Sequence, residues 1–591
     1  MTTASLPQSP AVPAWLQRLV ARYGREPICA VGVVLLVCTL TYGIFVTRLG
    51  IYYDDLVWVY MLQRLSLSQF IDIQWGNARP LFAVVTWLQG NNALLAHGLM
   101  FVMHIAICLL LLRLLRFALP GMRLLALAAV VLYAVYPVYW LRPVNVAMGL
   151  ESGILFMLLS LTAGLAALTA RGMRRAGLAA LSLGLVTLSF FTYESALVLE
   201  LARPVLIALV CFRQPGSLRG RALRTVAWSA LWVGYVAMLV GYRLFLFEST
   251  GFYASIGYNP VVLPTDAETF SAYTSELSRS VSGVFTAWGD QLARLNAEPN
   301  IVFSLGGGLA ALAFALYGLA FARNERPGLL RLAGAFVIGA ALLAAGLVPV
   351  LLTGNGRNIS TEGLWSRAYI TSVIGAGLML AALVLYIIIP TLRRAGVYAG
   401  LLVLAALIGV GTAAHMRNAA TYAAIWERQR EFWWQLGWRV PDVLDGTLII
   451  MDYQVGREQY SYETFALGDL FYRNPSVVGL EAQSVLPEGG GFIFDNGNWS
   501  FGWRYTLERA ILAWQRPGQC LRIIDPAQPL PEGVELSEPA RNLLPLLPDP
   551  DTIIRRTPQR EFTDRGLFLP EPARGACYDF QREALAASDA Q

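Results

Sequence analysis

Two adjacent carboxylates, Asp54 and Asp55, stand in Ile51-Tyr52-Tyr53-Asp54-Asp55-Leu56-Val57-Trp58, just past a long apolar stretch at residues 28–48. A carboxylate at a bilayer surface can take a proton from a hydroxyl or help to hold a divalent cation. Neighbouring carboxylates disfavour each other's ionisation, which can move one of them toward a useful pKa. Successive side chains diverge by about 100° on a helix and by half a turn on a strand, so the pair cannot serve one point together. One Asp is expected to face a substrate while the other contacts backbone or a metal. Asp is also a favoured helix N-cap, and Asp55 precedes the apolar segment Leu56–Leu62, so capping is the structural alternative.

Other chemistry-bearing residues follow in order. Arg79 precedes Pro80 in a segment between apolar stretches, where it suits a phosphate or sugar contact or an ion pair with an Asp. His97 and His104 are seven residues apart. They share one helical face about 10 Å apart, too far for one metal ion. His97, nearer the end of its span, is the better substrate candidate. Arg142 and Glu151 bracket a short connection and are able to pair. Glu194 lies in Phe190-Phe191-Thr192-Tyr193-Glu194-Ser195-Ala196, where it suits substrate binding or a salt bridge to Arg203 or Arg243. Arg357 and Arg367 flank a late connection, and Arg367 is the stronger candidate for a phosphate. The six Cys show no C-x-x-C spacing, so a zinc ribbon is not expected. No Gly-rich nucleotide fingerprint is present.

The elements that must position these residues are transmembrane. Of the 591 residues 56% are hydrophobic and 14% charged, and the mean hydropathy is +0.52. Soluble domains carry about 25% charged residues, so the chain reads as a polytopic membrane protein. The net charge of +6 comes entirely with Arg, since there is no Lys, and is not taken as a nucleic-acid signal. Apolar stretches long enough to span fall near 28–48, 98–118, 124–141, 150–170, 176–192, 195–212, 226–247, 301–322, 330–353, 368–390 and 396–414. Alternate connections carry Arg clusters, including Arg171, Arg174 and Arg175, and Arg219, Arg221 and Arg224. The positive-inside rule places these in the cytoplasm, with the N-terminus.

Three parts follow: a cytoplasmic segment at 1–27, a transmembrane domain at 28–416 with outer loops 49–97, 248–300 and 354–367, and an extracytoplasmic domain at 417–591. Within the last, 420–438 reads as an amphipathic helix and Thr447–Met451 as a strand, giving a small α+β domain. Cys520 and Cys577 both lie there, and the sequence leaves open whether they pair.

Taken in order, the acidic pair, Arg79-Pro80-Leu81, His97 and His104, the span ending in Tyr136-Pro137-Val138, the Tyr193-Glu194-Ser195-Ala196 turn and the late Arg367-Ala368-Tyr369 resemble the GT-C superfamily of membrane glycosyltransferases. The likeness covers roughly 28–390 and is nearest to the protein O-mannosyltransferase and TPR-type O-mannosyltransferase branch. That branch has H-x2-N-x3-H, where Met100 or Phe101 stands for the Asn here, and K-E, where the Lys is Tyr193. Its late R-Y is here interrupted by Ala368, and the C-terminal region is not a TPR array.

The resemblance implies a GT-C fold of about eleven transmembrane helices and transfer of a sugar from a polyprenyl-phosphate donor to an acceptor hydroxyl on a protein, lipid or glycan at the outer face, with inversion. It implies Asp54 as base, with Asp55 orienting it, and Arg79, His97, Glu194 and Arg367 as substrate contacts. No cofactor is required; a divalent ion, Mg or Mn, would rest on Asp54 or Asp55. A bacterial plasma membrane is the expected location. The rival expectations are a flippase or transporter of lipid-linked glycans, or an assembly protein like an O-antigen ligase or polymerase.

Overall fold

The computed structural model describes residues 25–90, 92–250, 264–322, 325, 328–353, 356–361, 363–392, 396–453, 472, 476–495, 500–516, 518–555 and 577. Most of the expected cytoplasmic segment at 1–27 lies outside these residues, as does 251–263 of the second outer loop. Asp54 and Arg357 are described as backbone only.

The chain runs α1 (Arg25–Thr41), α2 (Asp54–Arg64), α3 (Leu67–Trp75), α4 (Pro80–Gln89), α5 (Ala93–Ala118), α6 (Arg123–Val135), α7 (Ala147–Thr169) and α8 (Gly172–Thr192). A 3-10 segment at Glu194–Leu201 leads into α9 (Ala202–Arg213), α10 (Leu218–Gly241), α11 (Ala267–Ala297), α12 (Ile301–Tyr317), α13 (Leu329–Leu352), α14 (Ser372–Leu392) and α15 (Gly396–Arg439). Local chemistry sets many starts. Ser66 and Gln69 form a capping box on α3, Pro80 opens α4, and Asn92, Asp266 and Asn300 cap α5, α11 and α12 through their side chains.

Among the described residues, nine helices are long and apolar enough to cross a membrane. The chain is an integral-membrane helical protein. The two remaining expected spans correspond to shorter apolar helices, α6 and the 372–388 part of α14. α6 stops at Val135 because the chain turns irregular at Tyr136-Pro137, where Pro bars its predecessor from continuing a helix. α13 and α14 approach so closely that a Cβ on Gly375 would lie 2.3 Å from the Leu343 nitrogen. Small residues permit such backbone approach between membrane helices.

The bundle has two chemically distinct ends. At one, Arg116 pairs with Glu26, the Glu325 carboxylate accepts from the backbone N–H groups of Arg123 and Leu124 at 3.0 and 3.2 Å, and Arg213 donates to the Phe117 carbonyl at 3.1 Å. The other end gathers the connections before α2, between α6 and α7, and before α14.

Two regions differ from expectation. Part of the expected 248–300 outer loop is the single 31-residue helix α11. α15 is one helix of 44 residues, running unbroken through 416/417 and through the expected separate helix at 420–438. No Pro interrupts it, and Ala413, Ala414, Ala419, Ala420, Ala423 and Ala424 keep helix propensity high across the polar Arg417-Asn418.

Beyond α15 lie β1 (Asp442–Val443), β2 (Leu448–Tyr453), β3 (Val478–Glu481), β4 (Gly490–Asp495), β5 (Ser500–Tyr505), β6 (Ala510–Gln515), β7 (Arg522–Ile524), α16 (Glu538–Leu543) and β8 (Ile554–Arg555). β2 is central, parallel to β3 and β6, with β7 antiparallel on the edge. β4 and β5 form a hairpin, and β1 pairs with β8. Leu448, Ile449, Ile450 and Met451 are all buried, as suits a strand covered on both faces. Cys520 and Cys577 form a disulfide. Gln435 of α15 accepts the Leu521 N–H at 2.7 Å, and Tyr472 donates to the Val440 carbonyl at 2.9 Å, so this region is seated on the helix end.

Candidate functional site

The acidic pair begins α2. Its N-cap position is Tyr53, which makes no side-chain cap. Asp55 does not act as the cap. It reaches backward and sideways: Oδ2 accepts from the Tyr52 N–H at 3.1 Å and the Asn145 N–H at 2.9 Å, while Oδ1 accepts from the Val146 N–H at 2.7 Å. The residue is 2% exposed. Three amide donors help to satisfy the buried carboxylate. Asp55 thereby ties the first outer loop to the α6–α7 connection. Asp54 opens the same helix, and its side chain lies outside the described residues.

Among the described residues, two that are not glycine have positive φ: Tyr53 at 49° and Ala78 at 57°. One immediately precedes Asp54 and the other immediately precedes Arg79. Side chains with a Cβ adopt this region at a cost of about 1–3 kcal/mol, tolerated where the surroundings overdetermine it, and such residues cluster at functional sites.

Arg79 and Glu194, 115 residues apart, form a two-pronged pair: Nε donates to Oε2 at 2.8 Å and Nη2 to Oε1 at 2.6 Å. The guanidinium carbon also lies 4.3 Å from the centre of the Tyr193 ring, so Tyr193 and Glu194 grip it by face and fork. Glu194 thus pairs with Arg79 rather than Arg203, which is held by Glu200. Trp75 stacks on Phe191 with ring centres 5.8 Å apart, closing the side of this joint.

His97 is fully buried. Its Nε2 is 2.7 Å from the Gly50 carbonyl and its Nδ1 2.7 Å from the Tyr42 hydroxyl. The carbonyl only accepts, so in the neutral ring Nε2 carries the proton and Nδ1 accepts from Tyr42. Both nitrogens are occupied in holding the exit of α1 to α5. The next residues lean on α15: Tyr52 accepts from the Gly50 N–H and donates to the Tyr422 carbonyl, both at 2.9 Å. Burial pushes the Tyr52 hydroxyl well above the ordinary phenol value, so it stays a donor.

The connecting segment 136–146, which sequence reasoning did not single out as a hub, joins these parts. The Trp140 backbone N–H donates to Ser366 Oγ at 3.2 Å, and its indole donates to the Thr361 carbonyl at 2.6 Å. Asn418 donates to the Trp140 carbonyl at 3.0 Å, and His415 Nε2 lies 3.1 Å from the Tyr136 carbonyl. Gln89 donates to the Asn145 carbonyl at 3.0 Å. Arg367 sits beside Ser366 with its guanidinium 5.0 Å from the centre of the Trp365 ring. The segment thus receives the loop of Asp55, the end of α4, the loop of Arg367 and α15. A buried run of irregular backbone must find such partners.

Just inside lies a charged group. Arg142 Nη1 donates to the Ala134 carbonyl at 2.6 Å, and its Nε is 3.6 Å from Glu151 Oε1, which lies 3.7 Å from His104 Nδ1. Among the described residues neither Glu151 oxygen has a hydrogen-bond partner, and both are buried. The pairing of Arg142 with Glu151 was legible from their places around one connection. Its junction with His104 was not.

No family model, curated protein or solved structure matches this chain. Arg79 and Glu194 meet directly, while Asp55 and the loop of Arg367 meet through segment 136–146. His97 serves the same end from within the helix packing. Among the described residues the one cluster of three metal-ligating side chains is Cys38, His104 and Cys108, which does not include Asp55.

Proposed function

We propose that this protein is a membrane glycosyltransferase of the GT-C type that takes a sugar from a polyprenyl-phosphate carrier. The observation that carries the reading is the placing of backbone strain directly before Asp54 and directly before Arg79, with each joint locked across the bundle by Asp55 or Glu194. Strain held this firmly suits a preorganised site better than a solvent loop.

Asp54 takes the proton of an acceptor hydroxyl as that oxygen bonds to the anomeric carbon. The bond from that carbon to the phosphate oxygen breaks, and polyprenyl phosphate departs with the electron pair. Single displacement inverts the centre. Arg367 supplies positive charge for the departing phosphate, while Arg79, its charge offset by Glu194, orders the site around it. Asp55 fixes the direction of Asp54 by holding the first turn of α2. His97 acts by positioning the Gly50 turn.

The same reading puts the 136–146 end outside the cytoplasm and the Arg-rich end within it, by the positive-inside rule. A disulfide between Cys520 and Cys577 suits a C-terminal region in an oxidising, extracytoplasmic compartment. The eleven-span count takes α6 and α14 as spans, with α6 completed by the irregular segment that neighbouring helices cover.

The test is a panel of polyprenyl-phosphate sugars, offered with protein, lipid and glycan acceptors to purified protein and to its Asp54→Asn form. Transfer by the wild type from one donor is expected, with a loss of about 10²–10⁴-fold in Asp54→Asn, the usual range for a general base. Transfer unchanged by that substitution removes Asp54 as the base. Absence of transfer from every donor, with lipid-linked glycans still translocated, favours a flippase.

A further inference from the structure

Three side chains in the interior of the bundle converge without a role in the site above. Cys38 on α1 and Cys108 on α5 have their sulfurs 3.9 Å apart. His104, one turn before Cys108, has Nε2 3.9 Å from the Cys108 sulfur. All three donor atoms lie within 4.8 Å of one another, and all three residues are fully buried.

We propose that Cys38, His104 and Cys108 bind a thiolate-preferring d10 metal ion, Zn(II), between two membrane-spanning helices. Zinc at about 2.3 Å from sulfur and 2.0 Å from nitrogen sets tetrahedral edges of about 3.8 Å for S···S and 3.5 Å for S···N. The two measured edges stand within a few tenths of an ångström of these, and the third, between the Cys38 sulfur and the His104 nitrogen, is no longer than 4.8 Å. A disulfide would instead require the sulfurs to close by about 1.9 Å.

The surroundings are those of a metal-ligating histidine. Such a ring presents one nitrogen to the metal and the other to a carboxylate. His104 turns Nε2 toward Cys108, and its Nδ1 lies 3.7 Å from Glu151 Oε1. Among the described residues, His104 Nδ1 and Glu151 Oε1 are buried with no hydrogen bond, and a small approach on metal binding would join them. Charge selects the ion. Two thiolates offset Zn(II), and Arg142 offsets Glu151, so the loaded group is neutral in a medium where net charge is costly. Cu(I), also chosen by thiolate and imidazole, leaves one negative charge over. The ion would staple α1 to α5 inward of the Tyr42–His97 bond, fixing the helix end from which the Gly50–Asp54 loop leaves. This inference stands whether or not the chain transfers sugars.

The experiment uses full-length protein in detergent. It is purified without chelator and its metals are measured by mass spectrometry, then it is stripped and titrated separately with Zn(II), Co(II) and Cu(I). About one zinc per chain is expected, with thiolate-to-cobalt charge-transfer absorption in the Co(II) form that zinc abolishes. Cys38→Ser and Cys108→Ser should lose both signals, Cys29→Ser and Cys211→Ser should keep them, and Glu151→Gln should weaken zinc binding about 10–100-fold, the usual cost of losing such a carboxylate. The cobalt spectrum of the wild type needs no variant, so misfolding of a cysteine mutant leaves the test standing. Absence of that absorption, binding of Cu(I) alone, or a Cys38–Cys108 disulfide in the purified protein overturns the proposal.

Discussion

Replacing Asp55 with Asn keeps the shape and removes one acceptor oxygen and the charge. The carboxylate now accepts three backbone N–H bonds, from Tyr52, Asn145 and Val146, at 3.1, 2.9 and 2.7 Å. In its better orientation Asn keeps its carbonyl on Tyr52 and Asn145 and turns an NH2 toward the Val146 N–H. Bonds to a charged acceptor contribute about 1.5–3 kcal/mol and neutral ones about 1, so two weakened bonds cost about 2 kcal/mol. The orphaned Val146 N–H adds about 1–3 kcal/mol. The sum, about 3–5 kcal/mol, is a large share of the 5–15 kcal/mol by which a domain is usually stable. Reversible denaturation in mixed micelles should show this loss, and hydrogen exchange should quicken first in residues 50–56 and 140–146. A denaturation midpoint within about 0.5 kcal/mol of wild type, the scatter of neutral surface changes, would refute the structural role given to Asp55.

Arg79→Ala and Glu194→Ala, combined in a double-mutant cycle, should couple by about 1–3 kcal/mol, between the limits for exposed and buried pairs; denaturation midpoints of the four proteins measure it. Arg203→Ala strands Glu200 and removes the donor that the hydroxyls of Ser160 and Ser182 now accept at 2.7 and 3.1 Å. It should cost about 3–5 kcal/mol, while Glu200→Gln with Arg203→Met should recover most of that. Gly375→Ala sets a methyl against the α13 backbone and should destabilise by at least about 1–3 kcal/mol, seen as a lowered thermal midpoint, whereas Gly177→Ala, with open space around it, should not.

The spans were legible because a bilayer admits few backbone solutions and marks them by composition. Segment 136–146 was not, since hydropathy registers apolar side chains and this segment's role lies in its backbone amides and carbonyls. Asp55 looked like a cap because capping is a local rule, whereas its donors at Asn145 and Val146 are some 90 residues away. Arg79 and Glu194 were each legible as charged residues near membrane ends, but their bond is a matter of helix order. Cys38 and Cys108, 70 residues apart, carry no motif spacing at all. The continuity of α15 was hidden by Arg417-Asn418, which resembles an end while the alanines on either side carry the helix on.

That continuity makes chain length itself a constraint. At 44 residues and about 1.5 Å per residue, α15 is about 66 Å of unjointed rod. It supports Trp140 through Asn418, Tyr52 through Tyr422, and, by the close approach of the Trp426 ring, Gly50. One residue inserted between Asn418 and Tyr422 would turn everything beyond it by about 100°, swinging Tyr422, Trp426 and the whole strand-bearing region out of phase with the membrane end. Four inserted residues would bring the face back to within about 40° but lift it by a full turn. Surface loops absorb insertions and deletions with little cost, so this protein can change length in many places, and here it can change only by exchanging one side chain for another.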